Sequence, residues 1–218
     1  MINVMTRQAD WYIDVLSPYP YLQLALFDQF PADLVVRAKP VLFAGLLGHW
    51  GSKGPAEIPA KRSQTYRYCH WLAAKRGITF KVPPRHPFNP LALLRMTIAL
   101  GSELEVVRAV FEHVWGAGRD GEDPAVLSKL ADQLGLSNWQ QRIGDPAVKH
   151  QLKANTEEAI GRGVFGVPSF VVDGEVFWGE DSTPMMLDFL EDPALFSRGE
   201  MARLADLPIA TQRKESRL

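Results

Sequence analysis

The sequence predicts an α/β fold whose small sheet is split by a long all-helical insertion. Three observations carry this. A strand-like segment near the start runs straight into a capped helix, and a second strand follows it. About a hundred residues then show helical periodicity and helix caps only. Strand periodicity returns late, as two short segments around an Asp-Gly turn, before one closing helix. The expected boundaries are residues 8–42 and 160–200 for the sheet-bearing part, 43–159 for the inserted helices, and 206–218 for a loose polar tail.

Trp11 to Leu16 is aromatic and β-branched, which suits a pleated, half-buried backbone. Ser17 is a good N-cap and Pro18 sits at the first helical position. Leu22, Leu24, Leu26, Phe27 and Phe30 make the helix that follows apolar on more than one face. Leu34 to Lys39 is the second strand, closed by Pro40, and a strand-helix-strand run of this spacing predicts parallel pairing.

Leu42 to Trp50 reads as a short apolar helix, with a loop at Gly51–Pro55. A helix over Pro59–Arg76 carries a stripe of Tyr66, Cys69, Leu72 and Ala73 and is capped by Gly77. Val82 to Pro90 is a proline-rich loop, and Pro90 opens a helix that Gly101 ends. Ser102-Glu103-Leu104-Glu105 reads as a capping box ahead of an apolar face that includes Val107, Phe111 and Trp115. Ser137-Asn138-Trp139-Gln140 repeats that pattern. Asp123-Pro124 and Asp145-Pro146 open two further helices, ending near Gly135 and Gly161. Ser169–Val172 and Glu175–Trp178 form the hairpin, and Thr183–Leu190 is the closing helix.

Composition narrows the function. The chain has 218 residues, is 46% hydrophobic and carries a net charge of -1, so nothing favours nucleic acid or an anionic membrane as a partner. Cys69 is the single cysteine, which excludes an internal disulfide, a C-x-x-C redox pair and the cysteine-based zinc sites, and no metal is expected. No apolar leader or membrane-length stretch is present, and a cytoplasmic protein is expected. Ser17 admits two readings. One is a plain N-cap. The other is an anion site, where backbone N–H groups at a helix start hold a phosphate, a carboxylate or a thiolate.

Three segments taken together resemble one family. Asp14-Val15-Leu16-Ser17-Pro18-Tyr19, Gly163-Val164-Phe165-Gly166-Val167-Pro168-Ser169-Phe170 and Phe177-Trp178-Gly179-Glu180-Asp181-Ser182 resemble, in this order, the motifs of the 2-hydroxychromene-2-carboxylate isomerases. These are relatives of the kappa-class glutathione transferases and, more distantly, of the DsbA-type oxidoreductases. The resemblance spans roughly residues 10 to 195 and implies a thioredoxin-like, DsbA-like domain with an inserted helical domain. It implies that Ser17 stands where a reactive cysteine would be, so that the sulfur comes from bound glutathione, and that the Ser17 hydroxyl holds the thiolate. It implies a cis Val167–Pro168 bond that offers the backbone of Val167 to glutathione as an added strand would. It also implies that Gly179, Glu180, Asp181 and Ser182 meet the γ-glutamyl end, with Asp181 on its ammonium group and Ser182 and helix N–H groups on its carboxylate, against the plain reading of Asp181 and Ser182 as helix caps.

For the small-molecule aromatic substrate, Lys61 matches a lysine that the family carries in the helical insert and reads as a contact to a carboxylate, of substrate or of glutathione, against the plain reading of a solvated lysine. His86 and Asn89 sit on the rigid loop facing the expected cleft, and His86 reads equally well as a surface histidine. His49 and Trp50 resemble a family loop near the substrate. Cys69 reads as an inert core thiol. Family members acting on bicyclic aromatics carry a lysine near Leu47 and an Asn-Arg pair near Glu57-Ile58, and this chain has neither. The activity implied is glutathione-dependent isomerisation to trans-o-hydroxybenzylidenepyruvate, by a homodimer. The rivals are a kappa-like transferase or peroxidase that consumes glutathione, and a non-catalytic binding protein.

Overall fold

The computed structural model describes residues 6–211. Of these, residues 6–183 form one compact unit and residues 184–211 a second.

In the first unit, β1 (Arg7–Ile13) is buried from Ala9 to Ile13, the pattern of a central strand covered on both faces. β2 (Leu34–Pro40) pairs with it in parallel, in register from Arg7 opposite Leu34 to Ile13 opposite Pro40. β3 (Ser169–Val172) runs antiparallel to β1, and β4 (Glu175–Trp178) antiparallel to β3, giving the order β2-β1-β3-β4. The hairpin has the bounds read from the sequence. Asp173 (φ +49°) and Gly174 (φ +90°) are both left-handed, as a two-residue turn matched to strand twist requires.

The first strand and helix differ from the sequence reading. β1 both starts and stops earlier than Trp11–Leu16, because Asp14 ends it. The Asp14 carboxylate accepts the Leu16 N–H at 2.9 Å and its carbonyl accepts the Ser17 N–H at 3.0 Å, so the chain turns. The first helix, α1 (Tyr19–Leu24), has Pro18 rather than Ser17 as its N-cap and stops before Phe27. A separate 3₁₀ turn covers Phe27–Gln29. Breaking the helix lets Phe27 stack on Phe30 (4.6 Å between centroids) while both rings reach Phe170 of β3 (5.9 and 5.6 Å). Aromatic packing under the sheet overrides local helix propensity here.

Between β2 and β3 lie α2 (Phe43–Trp50), α3 (Pro59–Lys75), α4 (Leu91–Ala99), α5 (Leu104–Phe111), α6 (Pro124–Gln133), α7 (Trp139–Gly144) and α8 (Pro146–Gly161). α5 runs on into a π-helical turn over Glu112–Gly116. Asp123 and Asp145 cap α6 and α8 as expected, accepting Ala125 N–H and Ala147 N–H at 2.8 and 2.7 Å. The two expected capping boxes do not form. Ser102 (φ +57°) follows Gly101 (φ +80°) in a left-handed reversal, and Asn138 (φ +50°) is left-handed too, so neither start carries a side-chain cap.

Sheet and helices share one core. Tyr12, Val41, Leu46, Ala159, Val164 and Val171 pack together from β1, α2, α8, β3 and the segments that follow β2 and α8. Trp115 is fully buried, stacks on Phe80 at 5.7 Å and donates from Nε1 to the Val15 carbonyl at 2.8 Å. That bond holds the inserted helices to the turn that carries Ser17.

The second unit contains the rest of α9 (Thr183–Glu191), which matches the expected closing helix, and α10 (Gly199–Ala205). Phe189 stacks on Phe196 at 5.3 Å within it. Residues 207–211 are exposed and irregular, while residues 212–218 of the expected tail and residues 1–5 lie outside the described residues. No helix among the described residues is long and apolar enough to cross a membrane.

Candidate functional site

A cleft of about 780 Å³ opens between the turn after β1, the start of α3, the loop around His86 and the segment entering β3. Ser17 lies on its floor, 8% exposed. The Val167–Pro168 peptide bond beside it is cis, as expected, and so is His86–Pro87, which the sequence reading missed. The Ser17 hydroxyl reaches the Val167 carbonyl at 3.4 Å and accepts the Tyr19 N–H at 3.4 Å. Both bonds are at the long limit for oxygen and nitrogen partners, so the hydroxyl has no strong partner to give up before meeting a ligand. Because α1 is a six-residue helix capped by Pro18, the positive field at Ser17 reduces to the N–H groups of the turn itself.

Beneath Ser17, Asp14 is fully buried and accepts Leu16 N–H and Phe43 N–H, each at 2.9 Å. Burial pushes its carboxyl up to about 7, against the pull of those two N–H groups.

His86 is a buried wall of the cleft, which sets aside the alternative of a surface histidine and keeps it on the cleft-facing loop. Its Nε2 lies 2.8 Å from the Leu16 carbonyl and its Nδ1 2.6 Å from the Tyr66 hydroxyl, while Trp115 meets the ring edge-on at 5.3 Å. Burial lowers its pKa despite the Leu16 carbonyl, and the Arg62 cation adds to the drop. Arg62 donates from Nη2 to the His86 carbonyl at 2.5 Å and from Nε to the Tyr66 hydroxyl at 3.0 Å.

The other expected residues divide. Lys61, Val167, Pro168, Gly179, Glu180 and Asp181 line the cleft. Glu180 is 3% exposed and its carboxylate sits 2.7 Å from the Arg76 guanidinium, so it is already engaged by the protein. Gly179 has φ +91°, and a Cβ there would meet the Asp181 carboxylate. Ser182, His49, Trp50 and Asn89 are not among the lining residues. Ser182 donates back to the Gly179 carbonyl at 2.9 Å, Trp50 donates to the Val164 carbonyl at 3.0 Å, and Asn89 accepts the Leu91 N–H at 3.0 Å at the start of α4. His49 packs edge-on against Trp50 at 5.0 Å. Cys69 is fully buried, and burial pushes its thiol up to about 12.

Several residues of the site were not singled out. Tyr66, read as part of a core stripe, is half-buried at the cleft, and its spacing from Arg62, four residues along one helix face, was the available signal. Phe165 and Trp178 form an exposed aromatic pair at the mouth, 5.0 Å apart. Gly166 lets Trp178 lie against the backbone, since a Cβ there would fall 2.3 Å from its indole nitrogen. Gln23 is fully buried. It accepts from Trp11 Nε1 at 2.6 Å and donates to the Gly179 carbonyl at 3.3 Å and the Thr183 hydroxyl at 3.0 Å, tying α1 to the Asp181 turn. A glutamine in an apolar run gives no sequence signal of this kind. Among the described residues, no cluster of three His, Cys, Asp or Glu is placed to hold a metal.

Comparison with known proteins gives a consistent set of relatives. Residues 8–191 match the family described as a DsbA-like thioredoxin domain. The chain is 26% identical over 205 residues to glutathione S-transferase kappa 2 of Caenorhabditis elegans, covering 84% of this chain and 91% of that one. It is 28% identical over 195 residues to a 2-hydroxychromene-2-carboxylate isomerase of Sphingobium xenophagum, covering 86% and 97%. Among solved structures, a 2-hydroxychromene-2-carboxylate isomerase superposes with a TM-score of 0.73 over 93% of this chain, at 23% identity, which speaks to the fold.

Proposed function

The chain belongs to the family of DsbA-like thioredoxin domains, and from that premise we propose that it is a glutathione-dependent isomerase of the 2-hydroxychromene-2-carboxylate type. The observation that carries this reading is a weakly bonded Ser17 hydroxyl beside the Val167 carbonyl, in a cleft that no cysteine reaches. Disulfide exchange needs an accessible thiolate, and the one thiol of the chain is buried at Cys69.

The residues present fit glutathione. Ser17 offers an O–H to a sulfur, the Val167 backbone lies beside it, Lys53 and Lys61 offer cations to carboxylates, and Asp181 offers an anion to an ammonium group. When bound, glutathione would supply the thiolate that adds to the substrate and leaves again. Ser17 would donate to that charge, and Phe165 and Trp178 would cover the planar part of the substrate. A homodimer in the cytoplasm belongs to the same proposal.

The test is the ultraviolet spectrum of 2-hydroxychromene-2-carboxylate with purified protein and glutathione. A spectral change is expected, and Ser17→Ala should slow it about 10²-fold, the cost of removing one donor to a developing charge. A Ser17→Ala variant as fast as the parent refutes the role of Ser17. A second reading, a kappa-type transferase, is supported by the relative named above and by Leu47, which lines the cleft as an apolar side chain. Depletion of glutathione during turnover would select it.

A further inference from the structure

Resting on the reading above, we propose that Tyr66, backed by His86, is a proton shuttle that takes a proton from a hydroxyl-bearing substrate and returns it to a second oxygen of the same molecule. The substrate class is an aromatic hemiketal or a related conjugated enol.

The assignment follows from counting donors and acceptors. The Leu16 carbonyl only accepts, so His86 Nε2 at 2.8 Å must carry a hydrogen. Nδ1 of the neutral ring is then an acceptor, and the Tyr66 hydroxyl at 2.6 Å donates to it. Arg62 Nε donates to the same hydroxyl oxygen at 3.0 Å. A hydroxyl has one hydrogen and two lone pairs, so one lone pair of Tyr66 is left, and Tyr66 lines the cleft. A substrate O–H can donate there.

The transfer balances. The substrate proton moves to Tyr66 Oη while the Tyr66 proton moves to His86 Nδ1, and the O–H electron pair becomes the new C=O bond. The ring C–O bond breaks with its pair going to the ring oxygen. That oxygen takes the proton back from Tyr66, and His86 returns its own to Tyr66. The groups facing His86 are the Arg62 cation and Tyr66 from α3, the Leu16 carbonyl, and the rings of Phe88 and Trp115. Burial of the ring, with the Arg62 charge adding to it, disfavours a lasting imidazolium, so the proton is returned rather than kept.

Of the other ionisable groups lining the cleft, Glu57 accepts the Gly54 N–H at 2.6 Å, Glu180 faces Arg76, and Lys53, Lys61 and Asp181 are the groups assigned above to the charged ends of glutathione.

The experiment uses the full chain and the variants Tyr66→Phe and His86→Gln, with two readouts. The first is binding of 4-nitrophenol in the absence of glutathione, followed by its absorbance. Tyr66→Phe should weaken it at least tenfold. The second is chromene ring opening with glutathione. There Tyr66→Phe should lower kcat about 10²-fold with glutathione affinity within about twofold of the parent, and His86→Gln should lower kcat at least tenfold and flatten the acid limb of the pH profile. Nitrophenol affinity and kcat both unchanged in Tyr66→Phe would overturn the shuttle, as would a His86→Gln variant with the parent's rate and pH profile. If the parent protein does not act on the chromene yet shows the tenfold nitrophenol difference, the proposed isomerase reading falls and the role of Tyr66 stands.

Discussion

Two buried aspartates four residues apart behave in opposite ways. Asp10 sits within β1 at 3% exposure, and Asp14 ends the strand at 0%. Burial alone would raise both. At Asp10 it is outweighed by the hydrogen bond from Arg162 and the charges of Lys39 and Arg37, and the carboxyl is held below its usual range. At Asp14 both partners are neutral backbone N–H groups, and the carboxyl rises to about 7. The difference comes from strand register. Parallel pairing puts Arg37 directly opposite Asp10 and Lys39 opposite Tyr12, whereas Asp14 lies past the last paired residue, under the cleft floor. Charge on the partners, rather than depth, decides ionisation.

The largest expected effect lies at Asp14. Its folded pKa is raised, so between pH 3.8 and about 7 the folded state holds a proton that the unfolded state has lost. Stability from this group is therefore full below that window and falls as pH rises through it, by up to about 4 kcal/mol. Asp14→Asn should remove the slope, at a fixed cost of about 1–3 kcal/mol for the N–H left without an acceptor. Urea unfolding of both proteins from pH 4 to 8 measures it. A parent-minus-variant difference that is flat with pH would mean that Asp14 stays ionised.

Asp10 should show the reverse sign. Its depressed pKa gives stability that is present at neutral pH and lost as pH falls through the folded value. Asp10→Asn should cost about 3 kcal/mol at pH 7, since it strips the buried anion from Arg162, Lys39 and Arg37. The penalty should shrink in acid. A lower urea midpoint with unchanged slope is the expected signature, and a penalty that grows toward acid would contradict the pairing.

The same contrast explains what could be read from the sequence. The hairpin, the parallel first pair and the Asp-Pro helix starts were legible, because turn chemistry and period fix them locally, and the Ser17–Val167 meeting because three segments taken together resemble one family. The ends of β1 and α1 were not, because Asp14 turns the chain while its other oxygen holds the distant Phe43 N–H, and because the Phe27–Phe30–Phe170 cluster breaks the helix through a contact far along the chain. The two failed capping boxes are displaced by one residue, with Glu103 and Asn138 at the N-caps in place of Ser102 and Ser137 and left-handed backbone at Ser102 and Asn138, which composition does not reveal. Of the cleft lining, Ser17 and Asp181 were placed by the motif resemblance, while Tyr66, and Gln23 behind the Asp181 turn, were hidden by looking like core.

The smallest effect should come from Arg37, and it tests how the cations share Asp10. Arg37 is half-exposed and bonds Asp10 at 2.8 Å, so water and salt screen it well. Lys39 at 3.5 Å and Arg162 remain on the carboxylate when it is removed. Arg37→Met keeps most of the aliphatic stem and should cost no more than about 1 kcal/mol at low salt, less at high salt. Its pH profile should keep the parent's shape, because the two remaining cations still hold Asp10 ionised. A loss as large as that of Asp10→Asn, insensitive to salt, would place the whole charge balance on the strand-to-strand pair and remove Arg162 from the account.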